Sequence, residues 1–287
     1  MTGKQAHSVT DAVLRGTRLL PPGALGVDVG MTLTKVARGT ETGVVLEARE
    51  TRVVFDGDGR GILHREEGAA AGLTGARAGL LRDGAGAMHV QEIEAGARGA
   101  SALLDMEGRL AGGEFLLVLL GTGTAFAAVR GGSVQHLGGT PLGGGSFAGI
   151  ARRAELSLTY EAMIAGAERG DRRNVDTMIS DIYPDGIGRV GPDLTAAHLV
   201  RADEGSLDDF LAGLLNLHGE NIAQIAAGRA QAVKLSRIVL AGGFAHGNPQ
   251  LVASIAGMAG LFGIMVETVA TPAYAGALGA ALAAAAE

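Results

Sequence analysis

Short aliphatic runs that stop at glycine recur along this chain. Leu25-Gly26-Val27-Asp28-Val29 ends at Gly30, Phe115 to Leu120 ends at Gly121-Thr122-Gly123-Thr124, and Ile238 to Ala241 ends at Gly242-Gly243. Runs this short and this apolar predict strands, and the purely aliphatic ones predict strands covered on both faces. Thr34 to Ala37 and Val44 to Glu47 follow the first run at hairpin spacing, and Ala125 to Val129 and Ser133 to Leu137 follow the second in the same way. Leu73-Thr74-Gly75 reads as the end of a further strand, and Met265 to Val269 as another. Helical spacing marks Glu92 to Asp105 (Ile93, Ala97, Ala100, Leu104) and Ser206 to Gln231, the longest helical candidate. Helices are also predicted after Gly143-Gly144-Gly145, over Pro249 to Met258, and from about Tyr274 to the end. Ser8 to Leu20 reads as a frayed helix, and residues 56–68 as a turn with part of a helix.

The recurrence predicts the architecture. An aliphatic strand, a glycine turn and two returning strands occur near residue 25 and again near residue 115. The expected fold is therefore α/β and two-lobed, a duplicated β-meander and helix core with glycine loops facing a central cleft. An extension over 1–22 precedes an N-terminal lobe over 23–110 and a C-terminal lobe over 111–287, divided at Ala111-Gly112-Gly113.

Composition narrows the chemistry. The 287 residues include 48 glycines against 7 prolines, and the glycines cluster after the apolar runs, as backbone turns serving a ligand do. The absence of cysteine excludes disulfides, thiol nucleophiles and thiolate metal sites. A net charge of −6 argues against a dedicated nucleic-acid binder. Pro21-Pro22 directly after Leu19-Leu20 is no signal peptide, and the alanine-rich tail is too weakly hydrophobic to span a bilayer. A cytoplasmic protein with neither membrane nor nucleic-acid partner is expected.

Four glycine-bearing loops carry the candidate chemistry. In Asp28-Val29-Gly30-Met31-Thr32-Leu33-Thr34-Lys35, Asp28 can hold a hydrated Mg²⁺, Gly30 lets backbone approach phosphate, and Thr32 and Lys35 can donate. An ordinary hairpin is the plain alternative. Gly121-Thr122-Gly123-Thr124 offers amides and hydroxyls in the same way. Gly138-Gly139-Thr140-Pro141-Leu142-Gly143-Gly144-Gly145-Ser146-Phe147 is glycine-dense enough that side chains there would collide with a ligand or a neighbouring backbone. Gly242-Gly243 could seat a purine on bare backbone, with a plain strand-to-helix turn as the alternative.

These four motifs, in this order, resemble the sugar kinase/Hsp70/actin superfamily of two-lobed ATP-binding folds, whose lobes are ribonuclease H-like. Within it the chain is similar to the type II pantothenate kinases from about residue 24 to the end, with Leu73-Thr74-Gly75, Gln91-Glu92-Ile93-Glu94-Ala95, Gly170-Asp171-Arg172-Arg173-Asn174, Asp181-Ile182-Tyr183 and Asp193-Leu194-Thr195-Ala196-Ala197 in support. The resemblance implies Mg-ATP-dependent phosphorylation of the primary hydroxyl of pantothenate by a homodimer joined through the long helix. It puts Glu92 in the place of the general base, Asp28 at the Mg²⁺, and the glycine loops around the phosphates. Tyr160 and Thr195 match acceptor-pocket positions, Thr195 reaching across from a partner subunit. Gly139 and Thr140 stand in the loop that meets the acceptor. The family pattern has an Arg where this chain has His136, in Gln135-His136-Leu137-Gly138-Gly139. That departure leaves open a kinase for another hydroxylated small molecule, or a nucleotide-binding paralogue without activity.

Overall fold

A computed structural model describes residues 9–56, 69–81, 86–110 and 112–287. The turn and partial helix expected over 56–68 lie, beyond Asp56, outside the described residues, as does Ala111 at the expected lobe boundary. The strands in chain order are β1 (Val9–Arg15), β2 (Leu25–Val29), β3 (Leu33–Thr40), β4 (Gly43–Glu50), β5 (Ala71–Thr74), β6 (Met88–His89), β7 (Glu114–Leu120), β8 (Thr124–Arg130), β9 (Ser133–Thr140), β10 (Thr177–Met178), β11 (Thr195–Ala197), β12 (Arg237–Ala241) and β13 (Met265–Thr268). The helices are α1 (Thr51–Asp56), α2 (Glu92–Met106), α3 (Gly144–Ala154), α4 (Tyr160–Arg169), α5 (Leu207–Ala232), α6 (Pro249–Gly260) and α7 (Ala275–Ala285).

The duplication expected from the aliphatic runs is present. One sheet runs β1-β4-β3-β2-β5-β6 and the other β13-β12-β7-β8-β9. In each, three antiparallel strands (β2-β3-β4 and β7-β8-β9) are extended by two parallel ones beside the first (β5-β6 and β12-β13). The loop after β2 and the loop after β7 are therefore equivalent positions in the two lobes.

Strand alternation explains how the second sheet is covered on both faces. Leu116, Val118 and Leu120 of β7, with Ile238 and Leu240 of β12, face a core built with α3, α4, α5 and α6. Phe115 and Leu117, with Val239 and Ala241, face a second core shared with α2, α7 and the first sheet. That second core joins the lobes. α7, the last helix of the chain, lies on β2 and β5 of the first sheet and against α2.

The α2–α7 crossing brings backbones into contact. A Cβ on Gly279 would lie 1.8 Å from the Ala95 carbonyl oxygen, and one on Gly99 would lie 1.9 Å from that of Ala275. Gly26 and Gly72 receive α7 against the sheet with the same closeness. These glycines serve packing, where sequence pattern alone shows only small residues.

The N-terminal segment corrects one expectation. Val9–Arg15 is no helix but an edge strand, antiparallel to β4 from Val9↔Ala48 to Arg15↔Gly43. Ala12 and Leu14 turn towards the shared core, and Val13 and Arg15 turn to solvent. The free edge of β4 supplies backbone partners, and that pairing overrides local helical spacing.

The backbone contact at the crossing predicts opposite outcomes for two Gly→Ala changes. Gly279→Ala should destabilise by about 1–3 kcal/mol or more, because only backbone can yield. Gly228→Ala, at an open position in α5, should stabilise by up to about 1 kcal/mol through helix propensity. Denaturant unfolding of both variants checks the pair of signs.

Candidate active site

At the end of β2, Asp28 stands on the face of the sheet that α7 covers. Its carboxylate is 3.6 Å from the Lys35 ammonium, and both side chains are largely buried. Two bare glycines frame it: a Cβ on Gly75, just past β5, would come 2.4 Å from Oδ1, and one on Gly276, in the first turn of α7, 3.0 Å from Oδ2. Thr74, the register partner of Asp28, has a buried hydroxyl with no hydrogen-bond partner among the described residues. The Gly30–Thr32 turn is pinned by buried Thr51, whose amide donates to the Thr32 carbonyl and whose hydroxyl donates to the Gly30 carbonyl. Thr32 itself is exposed.

Glu92 opens α2. Its surface reaches solvent, yet the surrounding protein disfavours the ionised form and raises the carboxyl above its ordinary value. The charge of Asp28 raises it further and Lys35 pulls it back. Asp28, Lys35 and Glu92 thus lie within one electrostatic neighbourhood, although Glu92 is 57 positions beyond Lys35 in sequence.

The second-lobe glycines pack closely on one another. The Gly144 amide donates to the Gly121 carbonyl at 2.9 Å, and the Gly145 amide to the Thr122 carbonyl at 2.9 Å. A Cβ on Gly143 would strike the Gly123 backbone, and one on Gly145 would strike the Thr122 methyl. Gly143 and Gly145 therefore let the start of α3 sit on the 121–123 turn. Thr124 donates its hydroxyl to the Leu142 carbonyl at 2.8 Å. The Gly138–Phe147 motif is also no continuous loop: Gly138, Gly139 and Thr140 complete β9, and Gly144 already begins α3. Gly242 has φ +103°, a conformation only glycine adopts freely, and lies against the Leu120 backbone. Gly243 faces open space.

Behind α3, buried His218 accepts from Ser146. His218 Nδ1 lies 2.8 Å from the Leu214 carbonyl, which only accepts, and burial keeps the imidazole below its ordinary pKa against the pull of that carbonyl. The ring is therefore neutral with its proton on Nδ1, and Nε2 accepts the Ser146 hydroxyl at 2.8 Å. Ser146 Oγ in turn accepts the Gly143 amide at 3.0 Å, which fixes the glycine turn from behind. Beyond Gly243, an apolar groove of about 470 Å³ is lined by Ala245, Gly247, Asn248, Pro249, Val252, Ala253, Thr268 and Pro272.

The expected acceptor residues are spread over the second lobe. His136 is exposed on β9, in register with Ala127. Gly139 and Thr140 pair with Ala125 and Thr124, so Thr140 adjoins the 121–124 turn. Tyr160 begins α4, and burial, followed by the charge of Glu161, pushes its phenol up to about 12. Thr195, on β11, forms its hydrogen bonds to Arg172, Asp176 and Asn216, all in the second lobe.

The Fumble family matches residues 114–283. A type II pantothenate kinase of Oceanobacillus iheyensis is 32% identical over 214 residues, 73% of this chain and 80% of that protein. The chain belongs to the Fumble family, the type II pantothenate kinases. A second member, from Staphylococcus haemolyticus, is 28% identical across 89% of this chain and 98% of its own length. Among solved structures, the activator of the 2-hydroxyisocaproyl-CoA dehydratase from Clostridium difficile with bound ADPNP superposes with a TM-score of 0.62 at 18% identity, covering 92% of this chain and 94% of that one. A ROK family glucokinase from Streptomyces griseus in complex with glucose and AMPPNP gives 0.59 at 12% identity, over 92% and 99%. These likenesses establish the two-lobed ATPase fold for this Fumble-family chain.

Several parts of this candidate site are invisible to motif reading. Thr51 and Gly276 reach Asp28 and its loop only through the fold, and His218 sits mid-helix with no local signal. Asp176 is fully buried. The one trace it leaves in the sequence is an acid between apolar Val175 and Met178.

The Glu92 environment is testable without catalysis. Asp28→Asn should lower the Glu92 pKa while leaving it above the ordinary value, since burial remains. Lys35→Met should raise it further. Carboxyl ¹³C titration by NMR reads both directions, and an unmoved Glu92 in both variants would separate it from this neighbourhood.

Proposed function

We propose that this chain transfers the γ-phosphoryl group of ATP to the primary hydroxyl of pantothenate. The observation that carries this reading is the carboxylate of Glu92, at the first turn of α2 and in the field of Asp28 and Lys35. In the proposed step the hydroxyl oxygen attacks the γ-phosphorus, the bond to the β–γ bridging oxygen breaks, and ADP leaves. Glu92 takes the hydroxyl proton as the new P–O bond forms, and its raised pKa makes it a stronger base than an ordinary glutamate. Gly30, Thr32, Lys35, Gly121, Thr122, Gly123, Thr124 and the start of α3 at Gly143–Gly145 hold the triphosphate in line. The purine lies over Gly242 and Gly243 and into the groove beside them.

A Mg²⁺ suits this donor set. One carboxylate, Asp28, beside the Thr74 hydroxyl, which has no hydrogen-bond partner among the described residues, would offer hard oxygen ligands to such an ion. Among the described residues no three acidic, histidine or cysteine side chains form a cage of their own, which suits an ion that arrives with the nucleotide. When bound, the ion neutralises phosphate charge; Asp28 holds it, and Lys35 balances Asp28.

The acceptor side is assigned to His136, Gly139, Thr140, Tyr160 and Thr195, with Thr195 serving the site of the partner in a homodimer. Pantothenate carries a carboxylate, and the shorter His136 is a weaker match for it than the permanently charged, bidentate Arg of the family pattern.

Incubation with Mg-ATP and pantothenate should yield phosphopantothenate. Glu92→Gln should lower kcat by about 10²–10⁴ with ATP affinity unchanged, and the wild-type rate should rise as pH passes the raised Glu92 pKa; retained turnover in the variant removes Glu92 as base. His136→Arg should lower the KM for pantothenate with little change in the KM for ATP, read from steady-state kinetics. Turnover of a different alcohol in place of pantothenate would keep the reaction and reject the acceptor.

A further inference from the structure

Outside the nucleotide-facing loops, the second lobe buries a compact group of charged side chains against α5. Asp176 is fully buried and Glu220, on α5, nearly so. His198 lies between them, Nε2 3.3 Å from Glu220 and Nδ1 3.6 Å from Asp176. Arg172 is 3.9 Å from the same Asp176 oxygen. Burial disfavours a charged imidazole, but the two carboxylates outweigh it and push His198 up to about 9, so it is a cation near neutral pH. Two acidic and two basic side chains then balance, leaving no net charge to offer a ligand.

The group converges on Thr195. Its hydroxyl donates to Asp176 Oδ2 at 3.2 Å and accepts from Arg172 at 2.7 Å and Asn216 at 3.1 Å. One proton and two lone pairs are all a hydroxyl has. The Thr195 hydroxyl is therefore spent within the protein. Asp176 Oδ1 meanwhile accepts the Leu199 amide at 2.8 Å, and Leu199 is one of three non-glycine residues with positive φ among the described residues, at 56°. Such a conformation is strained and persists where surrounding contacts impose it.

We infer that Asp176 is a positioning residue: bonded to the Thr195 hydroxyl and the Leu199 amide, it fixes the 194–200 segment, so that Thr195 presents that segment to the acceptor instead of hydrogen-bonding the acceptor itself. The inference rests on the proposed acceptor role of this segment. It deepens that role, because the specificity end of the site is then set by a buried network on α5 and not by the hydroxyl that the family motif singles out.

The test combines kinetics with hydrogen exchange on the full-length protein. Asp176→Asn should raise the KM for pantothenate roughly tenfold with kcat and the KM for ATP within about threefold, a split that a general loss of structure does not give. Thr195→Val, which keeps shape and loses the hydroxyl, should match it. Thr195→Ser, which keeps the hydroxyl, should recover most of what Thr195→Val loses, and the Asp176→Asn/Thr195→Val double variant should be no worse than either single. Amide exchange over 194–200 should accelerate in Asp176→Asn with α2 and β7 unchanged. Asn216→Leu, which removes one donor to Thr195 and leaves Asp176 in place, should give a smaller shift of the same kind and serves if Asp176→Asn does not fold.

A Thr195→Val effect with Asp176→Asn silent would assign Thr195 a direct contact and overturn the inference. So would equal losses in kcat and both KM values, or unchanged exchange at 194–200. If Thr195→Val is silent in an enzyme that phosphorylates pantothenate, the inference falls and the activity stands. If pantothenate is not turned over at all, the activity reading falls, and the exchange arm still decides whether Asp176 orders the segment.

Discussion

The contact on which the rest depends is the crossing of α2 and α7 at backbone distance. Gly99 and Gly279 admit it, and Gly26 and Gly72 seat α7 on the first sheet with equal closeness. α2 begins with Glu92, and the first turn of α7 places Gly276 against the Asp28 carboxylate. The separation of the two acids is thus set by helix packing rather than by the loops that carry them. A side chain at any of the four glycines would drive whole elements apart, because what it would strike is mostly backbone. The last helix of the chain thereby completes a site begun at β2.

Electrostatics divides the molecule into two unlike regions. Around β2, Glu92 is raised first by burial and then by the charge of Asp28, with Lys35 opposing, an arrangement suited to receiving a proton or a cation. Around Asp176 the same residue types are neutralised pairwise and buried, and removing one member would strand its partner at a cost of several kcal/mol. A perturbed pKa goes with the proposed proton acceptor in the first region and with architecture in the second. His198 shows why the shift by itself does not distinguish them.

The sequence carried both three-stranded meanders but not the edge strand of the first sheet. Aliphatic runs ending in glycine reveal both meanders because strands buried on two faces need nearly every side chain apolar, a demand that survives in one dimension. β1 escaped because an edge strand has one face to cover, and Val9–Arg15 satisfies helical spacing as well as alternation. The glycine clusters were legible as places where side chains are forbidden, yet what forbids them was not. Gly143 and Gly145 answer to the 121–123 turn, whereas Gly243 meets open space. Asp28 and Glu92 stand within recognisable motifs, while Thr51, His218 and Asp176 become partners of the site only through long-range packing.

α5 joins the glycine turn to the segment that carries Thr195. His218 looks towards the glycine turn through Ser146, while Asn216 and Glu220, each two positions away, look towards Thr195 and His198. Residues i and i±2 lie on opposite sides of a helix, so one rigid element supports the start of α3 on one side and the 194–200 segment on the other. The supports differ in kind. The imidazole of His218 is neutral and holds through directional hydrogen bonds, whereas that of His198 is cationic and holds through charge. Under the proposed acceptor role, the exchange of the family arginine for His136 on β9 alters acceptor recognition while the hydrogen bonds of α5 to Ser146 and Thr195 stay in place.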